Sequence, residues 1–237
     1  MKLFLSGYGQ MGHMVEALAN ERGWEIVGRA DVTAPEVYRT APKADVCIDF
    51  SGVGALPQLA EYVRRTRTPL LSGTTGFTAP DFVVLRELSS LVPVIWTANY
   101  STGIAILKRM VRQFAPALRD WDKELVELHH HRKVDAPSGT AKQLLQELDP
   151  DGRATLVYGR QGLCGARKPE EIGVFSLRGG TVAGEHSVLF FGEDESLELT
   201  HKAQSRKVFA AGALRAAQAL AEKPAGFYTL EELIFEA

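Results

Sequence analysis

The sequence predicts an α/β protein, with an N-terminal domain built on a parallel sheet and a second, mixed-sheet α+β domain after it. Two observations predict this class. Over the first hundred residues, short apolar runs alternate with segments whose apolar residues recur every three or four positions, the pattern of βαβ units. After about Tyr100 that alternation stops, and strand-like runs follow one another through Gly-rich joints, which read as antiparallel turns.

In chain order, the predicted strands of the first domain are Leu3–Leu5, Glu25–Ala30, Val46–Phe50, Pro69–Ser72 and Val94–Thr97. Met11–Arg22, Val53–Arg67 and Ala79–Leu91 between them carry helical spacing. Val32–Lys43 has two prolines and little periodicity, so it reads as a long loop or a poorly formed crossover. A helical segment, Ile104–Leu118, then leads to a half-buried strand, Lys123–Leu128. A polar loop follows, then a helix from Ser138 and a Gly-rich stretch, Gly152–Gly173. Gly173–Arg178, Thr181–Phe191 and Ser196–Lys202 are strand candidates, joined by Gly-Gly and Gly-Glu-Asp-Glu. An Ala-rich helix, Arg206–Ala221, comes last, with Ser205 as its expected N-cap.

Composition narrows the function classes. With 45% hydrophobic and 24% charged residues the chain is neither disordered nor a low-complexity repeat. Lys plus Arg is 27 and Asp plus Glu 29, a net charge of −2, which argues against a general nucleic-acid or membrane-surface binder. Cys47 and Cys164 make neither a disulfide framework nor a metal spacing, so a reducing compartment is expected. The apolar run at the start breaks at Gly7, too short for a secretory signal, and no run is long enough to span a membrane. A soluble cytoplasmic protein is expected.

Three segments carry chemistry. Gly7-Tyr8-Gly9-Gln10-Met11-Gly12 is a GxGxxG that follows a strand and opens a helix, and Asp31 ends the second strand. That context predicts a Rossmann-like dinucleotide site, with the pyrophosphate at the helix start and the acid on the adenosine ribose. An acid there favours NAD, because it repels a 2′-phosphate, and Arg29 is expected to point with Asp31 and soften that repulsion. Gly73-Thr74-Thr75 and Thr97-Ala98-Asn99-Tyr100 follow the fourth and fifth strands, where open parallel sheets bind ligands. Both are candidate cofactor contacts.

The third segment is Glu127-Leu128-His129-His130-His131-Arg132-Lys133-Val134-Asp135-Ala136-Pro137-Ser138-Gly139-Thr140-Ala141. Five consecutive side chains are basic or can become so. Consecutive histidines cannot easily share one ion, and no later His or Cys completes a usual spacing, so no metal is expected. Ser138 is a good N-cap, and Gly139 and Thr140 leave N–H groups open at a helix start. Histidines, a Lys and that terminus together describe a pocket for a small carboxylate, with a His able to deliver a proton near neutral pH.

GYGQMG, SGTTGF, TANYSTGI and above all ELHHHRKVDAPSGTA resemble the 4-hydroxy-tetrahydrodipicolinate reductase family, also called dihydrodipicolinate reductases. RGGTVAGEH, THKAQSR and KPAGFYTLEEL extend the resemblance over nearly the whole chain. It implies NAD(P)H-dependent reduction of 4-hydroxy-tetrahydrodipicolinate in the diaminopimelate route to lysine. It also implies that residues 1–100, rejoined by 206–237, bind the dinucleotide, and that 101–205 bind substrate and build a homotetramer. His129 matches the proton donor/acceptor, and Lys133 a second donor that also holds the substrate. His130, Gly139 and Thr140 match contacts to the substrate carboxylates, with Ser138 beside them; His131 and Arg132 match variable positions.

The chain departs from many members in a shorter first loop and a shorter segment after the second strand. Val32 follows Asp31 where some members have Arg, which leaves the choice between NADH and NADPH open. A reductase of another small carboxylate and a non-catalytic NAD-binding redox sensor are the alternatives. The sensor leaves the His-Lys loop without a purpose.

Overall fold

Strand and helix alternate from the first residues. β1 (Lys2–Ser6), α1 (Gln10–Glu21), β2 (Glu25–Ala30), α2 (Val37–Thr40), β3 (Val46–Asp49), α3 (Leu56–Thr66), β4 (Leu70–Ser72), α4 (Ala79–Ser89) and β5 (Pro93–Trp96) come first. Then follow α5 (Thr102–Phe114), β6 (Asp122–His129), α6 (Gly139–Leu148), β7 (Thr155–Val157), β8 (Glu171–Arg178), β9 (Gly184–Phe191) and β10 (Ser196–Ala203). The chain closes with α7 (Lys207–Leu220), β11 (Gly226–Tyr228) and α8 (Leu230–Phe235). This computed structural model describes residues 1–235; positions 236 and 237, the end of the expected C-terminal segment, lie outside the described residues. Two units emerge, Met1–Thr102 with the segment from Lys207, and Gly103–Arg206.

The first unit is a six-stranded sheet in the order β11-β5-β4-β3-β1-β2, and every pairing is parallel. Parallel strands are covered on both faces, which explains runs such as Leu3–Leu5, Val46–Ile48 and Leu70–Leu71 in which no residue reaches solvent. The strand order reverses between β1 and β3, so the loops after Ser6 and Asp49 flank the crevice where such sheets bind ligands. Val32–Lys43 is not wholly a loop. It contains α2, ordered because Tyr38 is buried and its hydroxyl lies 2.8 Å from Ser6 Oγ.

The second unit is a five-stranded mixed sheet in the order β10-β9-β6-β8-β7. β6 lies at its centre, antiparallel to β9 and parallel to β8. Leu144, Leu145 and Leu148 of α6 and Leu107 and Val111 of α5 pack with Leu125, Val174, Val188 and Phe190 in one core.

Gly192–Glu195 closes the expected hairpin between β9 and β10. The Gly179–Gly180 joint does not make one. β6 lies between β8 and β9, so the joint carries the chain over the end of β6, where Gly179 N–H donates to the His129 carbonyl at 2.9 Å. The Gly-rich stretch adds a short strand, β7, and α7 starts at Lys207, so Arg206 rather than Ser205 immediately precedes it. Among the described residues no helix is long and apolar enough to cross a membrane.

Candidate active site

In the first unit the chain leaves β1 through Gly7, whose φ of +86° favours glycine. A Cβ there would sit 2.5 Å from the Phe50 carbonyl carbon, so side chains are excluded from this turn on two counts. Gly12 is buried in the first turn of α1, while Gly9 and Gln10 are exposed and Tyr8 and Met11 half-buried. Gly9 precedes α1 and no side chain caps it, leaving first-turn N–H groups for an anion. These features fit a dinucleotide pyrophosphate.

Asp31 follows β2, and its Oδ1 accepts from Thr33 N–H at 2.7 Å, Thr33 Oγ1 at 2.6 Å and Ala34 N–H at 3.2 Å. Those bonds, the Thr33 hydroxyl first, hold its carboxyl below the usual range. Arg29 does not serve Asp31 as the sequence suggested. Its guanidinium is bound by Glu16 and lies over the Tyr8 ring, and the Tyr8 hydroxyl donates to the same Glu16. A carboxylate on α1, four residues beyond the last glycine, captured the cation.

Sequence reasoning missed Asp49, the last residue of β3. It is fully buried. Its Oδ1 accepts from Ser6 Oγ (2.7 Å), Ser51 N–H (3.2 Å) and Ser51 Oγ (2.5 Å), and its Oδ2 from Ser72 Oγ (2.7 Å) and Thr74 Oγ1 (2.8 Å). One carboxylate thus ties together the loops after β1, β3 and β4. The signal was an acid ending an apolar run, Val46-Cys47-Ile48-Asp49, where an ion must have partners.

This network engages the side chains of two cofactor candidates. The Thr74 hydroxyl is engaged by Asp49, and Tyr100 is buried with its hydroxyl donating to the Ser72 carbonyl at 2.8 Å. Both side chains are turned to protein partners. Gly73 and Thr75 of the same loop, and Thr97, Ala98 and Asn99, are at least partly exposed where β4 and β5 end.

In the second unit, alternation along β6 puts Leu125, Glu127 and His129 on the buried face. His129 ends the strand. His130 N–H donates to the Val182 carbonyl at 2.8 Å and Lys133 N–H to the His130 carbonyl at 3.1 Å, so the His-Lys loop is folded. Lys133 Nζ donates to Asp135 Oδ1 at 2.7 Å, which holds the Asp135 carboxyl below its ordinary range. Nδ1 of His130 is buried without a hydrogen-bond partner.

Ser138 caps α6 as expected, its Oγ accepting from Ala141 N–H at 3.1 Å. That hydroxyl also lies 3.1 Å from His186 Nε2, and Ser138 is 2% exposed. The side chain is therefore built into the wall, and it is Gly139, with open space around its Cα, that presents the helix start.

Beneath the loop lies a cluster that the sequence did not reveal. Glu127 is fully buried; its Oε2 is 2.9 Å from His129 Nδ1 and its Oε1 accepts from Arg178 Nη2 at 2.8 Å and Ser138 N–H at 3.1 Å. Cross-strand register sets His186 opposite Glu127, with His186 Nε2 3.9 Å from Oε2. Burial raises the Glu127 carboxyl, but bonds from Arg178, Ser138 and Ser176 outweigh it and bring the pKa to about 2. Burial also pushes His129 down, against the pull of Glu127 and with Lys133, Arg178 and His130 adding to it. His186, more deeply buried and beside His129, falls to about 4. The same register corrects the metal argument in one respect. His186 does bring a later imidazole to His129 and Glu127, and one ligand atom from each lies within 4.8 Å of the others.

Two sequence profiles match the chain in tandem, "Dihydrodipicolinate reductase, N-terminus" over residues 1–100 and "Dihydrodipicolinate reductase, C-terminus" over 103–234. A curated relative named 4-hydroxy-tetrahydrodipicolinate reductase from Exiguobacterium sibiricum is 43% identical over 239 residues, covering 98% of this chain and 96% of the relative. One of the same name from Staphylococcus aureus is 43% identical over 245 residues, covering 98% and 100%. The solved structure of a dipicolinate-bound dihydrodipicolinate reductase from Paenisporosarcina sp. TG-14 matches with a TM-score of 0.75 at 20% identity, over 99% of each chain. That likeness bears on the fold.

Proposed function

The chain belongs to the dihydrodipicolinate reductase family, and from that premise we propose how its residues divide the work. It is an oxidoreductase that reduces 4-hydroxy-tetrahydrodipicolinate to tetrahydrodipicolinate, with loss of water, in lysine biosynthesis. NAD(P)H supplies the hydride when bound. The Gly7–Gly12 turn and the first turn of α1 hold the pyrophosphate, Asp31 holds the adenosine ribose, and Gly73, Thr75 and Thr97–Asn99 meet the nicotinamide half. The N–H groups of Gly139 and Thr140, with His130 and Lys133, take the substrate carboxylates. His129 delivers the proton that accompanies the hydride.

One observation carries this reading. A loop of nine residues joins β6, which ends at His129, to α6, which starts at Gly139, and it carries His130 and Lys133 between them. Pyridine-2,6-dicarboxylate, a planar ring with two carboxylates, is expected to compete with substrate, and Lys133→Ala to weaken that inhibition. Inhibition untouched by Lys133→Ala would remove Lys133 from carboxylate binding.

We propose that Asp31 biases the site toward NADH while NADPH is still used, through repulsion of a 2′-phosphate. Asp31→Ser is expected to raise the NADPH/NADH ratio of kcat/KM by about tenfold. An unchanged ratio would leave Asp31 as a loop starter held by Thr33 and Ala34. The Glu127–His129–His186 set takes no metal in this reading, because Arg178 already neutralises the carboxylate and its positive charge opposes a divalent ion. Exhaustive chelation is therefore expected to leave activity and Tm unchanged; a loss restored by zinc would contradict it. The cytoplasm is the proposed compartment. The outer face of the mixed sheet, where Leu177 and Phe191 are exposed, is the proposed surface for a homotetramer, to be checked by light scattering.

A further inference from the structure

We propose that Glu127 is a positioning residue for the reaction, holding the proton on Nδ1 of His129 so that Nε2 is the atom that donates to substrate. The proposal rests on the reading of His129 as proton donor. Glu127 Oε1 is committed to Arg178 and the Ser138 N–H, two donors that cannot also accept. The Ser176 hydroxyl also bonds the carboxylate; of the imidazoles, His129 is nearest to Oε2, with Nδ1 at 2.9 Å, and His186 lies farther, at 3.9 Å. Oε2 and Nδ1 meet as an ion pair at 2.9 Å without an aligned hydrogen bond, and neither atom has another hydrogen-bond partner. A carboxylate oxygen can only accept, so its nearness favours a hydrogen on Nδ1 over a lone pair.

The other ring nitrogen is treated in the opposite way. Gly184 backs onto it: a Cβ there would stand 3.0 Å from His129 Nε2. Its φ of +156° lies in the region that favours glycine. The backbone thus keeps side-chain atoms off Nε2, while the Glu127 carboxylate, two residues back on the same strand, lies against Nδ1. In the proton transfer, Nε2–H breaks and a bond forms from hydrogen to substrate. The imidazolium becomes neutral imidazole with Nδ1–H still on Glu127, and the carboxylate never changes charge.

Charges around the pair act on the same equilibrium. Lys133 and His130 from the loop and Arg178 from β8 oppose a proton on His129, and burial opposes it most; His129 in turn opposes a proton on His186 of β9. Asp135 stands against Lys133, and His201 of β10 acts on His186. Glu127 is the group that favours the imidazolium.

Glu127→Gln tests this because the geometry dictates how the amide sits. Arg178 and Ser138 N–H require its oxygen at the Oε1 position, so its NH2 must face His129 Nδ1 and force that atom to accept. The neutral tautomer inverts and the imidazolium loses its partner. In 15N NMR of the full-length enzyme, wild-type His129 is expected as the Nδ1–H tautomer and the variant as Nε2–H. The variant's titration is expected to fall by at least about one pH unit, the shift an opposite charge at this range produces. The basic limb of the kcat/KM profile should move down by the same amount, with kcat at neutral pH lowered about 10–100-fold.

A merely structural Glu127 would lower the rate equally at every pH and leave the limb in place, which would overturn the proposal. Wild-type His129 observed as Nε2–H would overturn it without any variant. The NMR arm uses no substrate, so a protein that fails to oxidise NAD(P)H with the family's substrate but shows the Nδ1–H tautomer and its inversion would refute the catalytic reading alone.

Discussion

Replacing His129 with alanine is expected to lower kcat by about 10²–10⁴ while KM stays near wild type. A proton donor acts only as the transition state forms, so its loss falls on the chemical step and spares ground-state binding. Lys133→Ala is expected to behave differently, lowering kcat and raising KM together. In its proposed role its ammonium holds a carboxylate before reaction, a charged hydrogen bond of about 1.5–3 kcal/mol, which corresponds to roughly tenfold or more in KM. Lys133 begins on Asp135, 2.7 Å away. Substrate must therefore share or displace that partner, and Asp135→Asn is a control expected to leave the ammonium in place. Affinity for NADH should be near wild type in both alanine variants, because the loops proposed to bind the dinucleotide belong to the other unit. Steady-state kinetics with cofactor binding by fluorescence checks all of this. Two variants with wild-type kcat/KM, or two that lose NADH binding instead, would make the loop a structural basic segment.

The largest expected loss of stability follows Asp49→Ala. Five hydrogen bonds from Ser6, Ser51, Ser72 and Thr74 end on this carboxylate, which has no exposure to water. Each buried donor left without an acceptor costs ~1–3 kcal/mol. The hydroxyls can turn and pair with one another, so the expected total is about 3–5 kcal/mol rather than the sum. The same carboxylate aligns the loops after β1, β3 and β4, and a displacement of about 1 Å at a bound group can cost ~10²-fold. NADH affinity should therefore fall by about 10–100-fold in Asp49→Ala. Asp49→Asn keeps one acceptor oxygen and offers an NH2 that Ser72 and Thr74 can accept from after rotating, so it should lose much less of both. Denaturant midpoints and NADH titration read the two effects. Wild-type stability in Asp49→Ala would mean the hydroxyls pair adequately without the acid.

Much of this was legible before the structure. The five strands of the first half fall within a residue or two of their expected bounds, because apolar runs closed by Gly, Ser and Asp mark buried parallel strands. Helix α6 and its Ser138 cap were visible in the Pro-Ser-Gly-Thr run. What local pattern could not supply was pairing between distant segments. The Gly179–Gly180 joint has the composition of a hairpin turn, but whether the next strand lies beside β8 or one place beyond depends on β6, about fifty residues earlier. His186 was invisible as a site residue for the same reason, since only register sets it opposite Glu127. Glu127 itself left a trace. In Leu125, Glu127 and His129, every second residue of one strand, an acid shares the apolar face, and a buried acid implies partners. Arg29 shows the opposite failure. Strand parity pointed it toward Asp31, but Glu16 on α1 decides where the guanidinium goes.

The central claim is that this chain uses NAD(P)H to reduce the cyclic dicarboxylate, with His129 and Lys133 acting on the substrate. The most direct measurement is NAD(P)H oxidation by the purified protein while its substrate is generated in place from aspartate semialdehyde, pyruvate and the preceding synthase. Oxidation is expected to require all three components and to drop by two or more orders of magnitude, about 10² at least, in His129→Ala. Oxidation no faster than in the synthase-free control, or a His129→Ala variant as fast as wild type, would contradict the account.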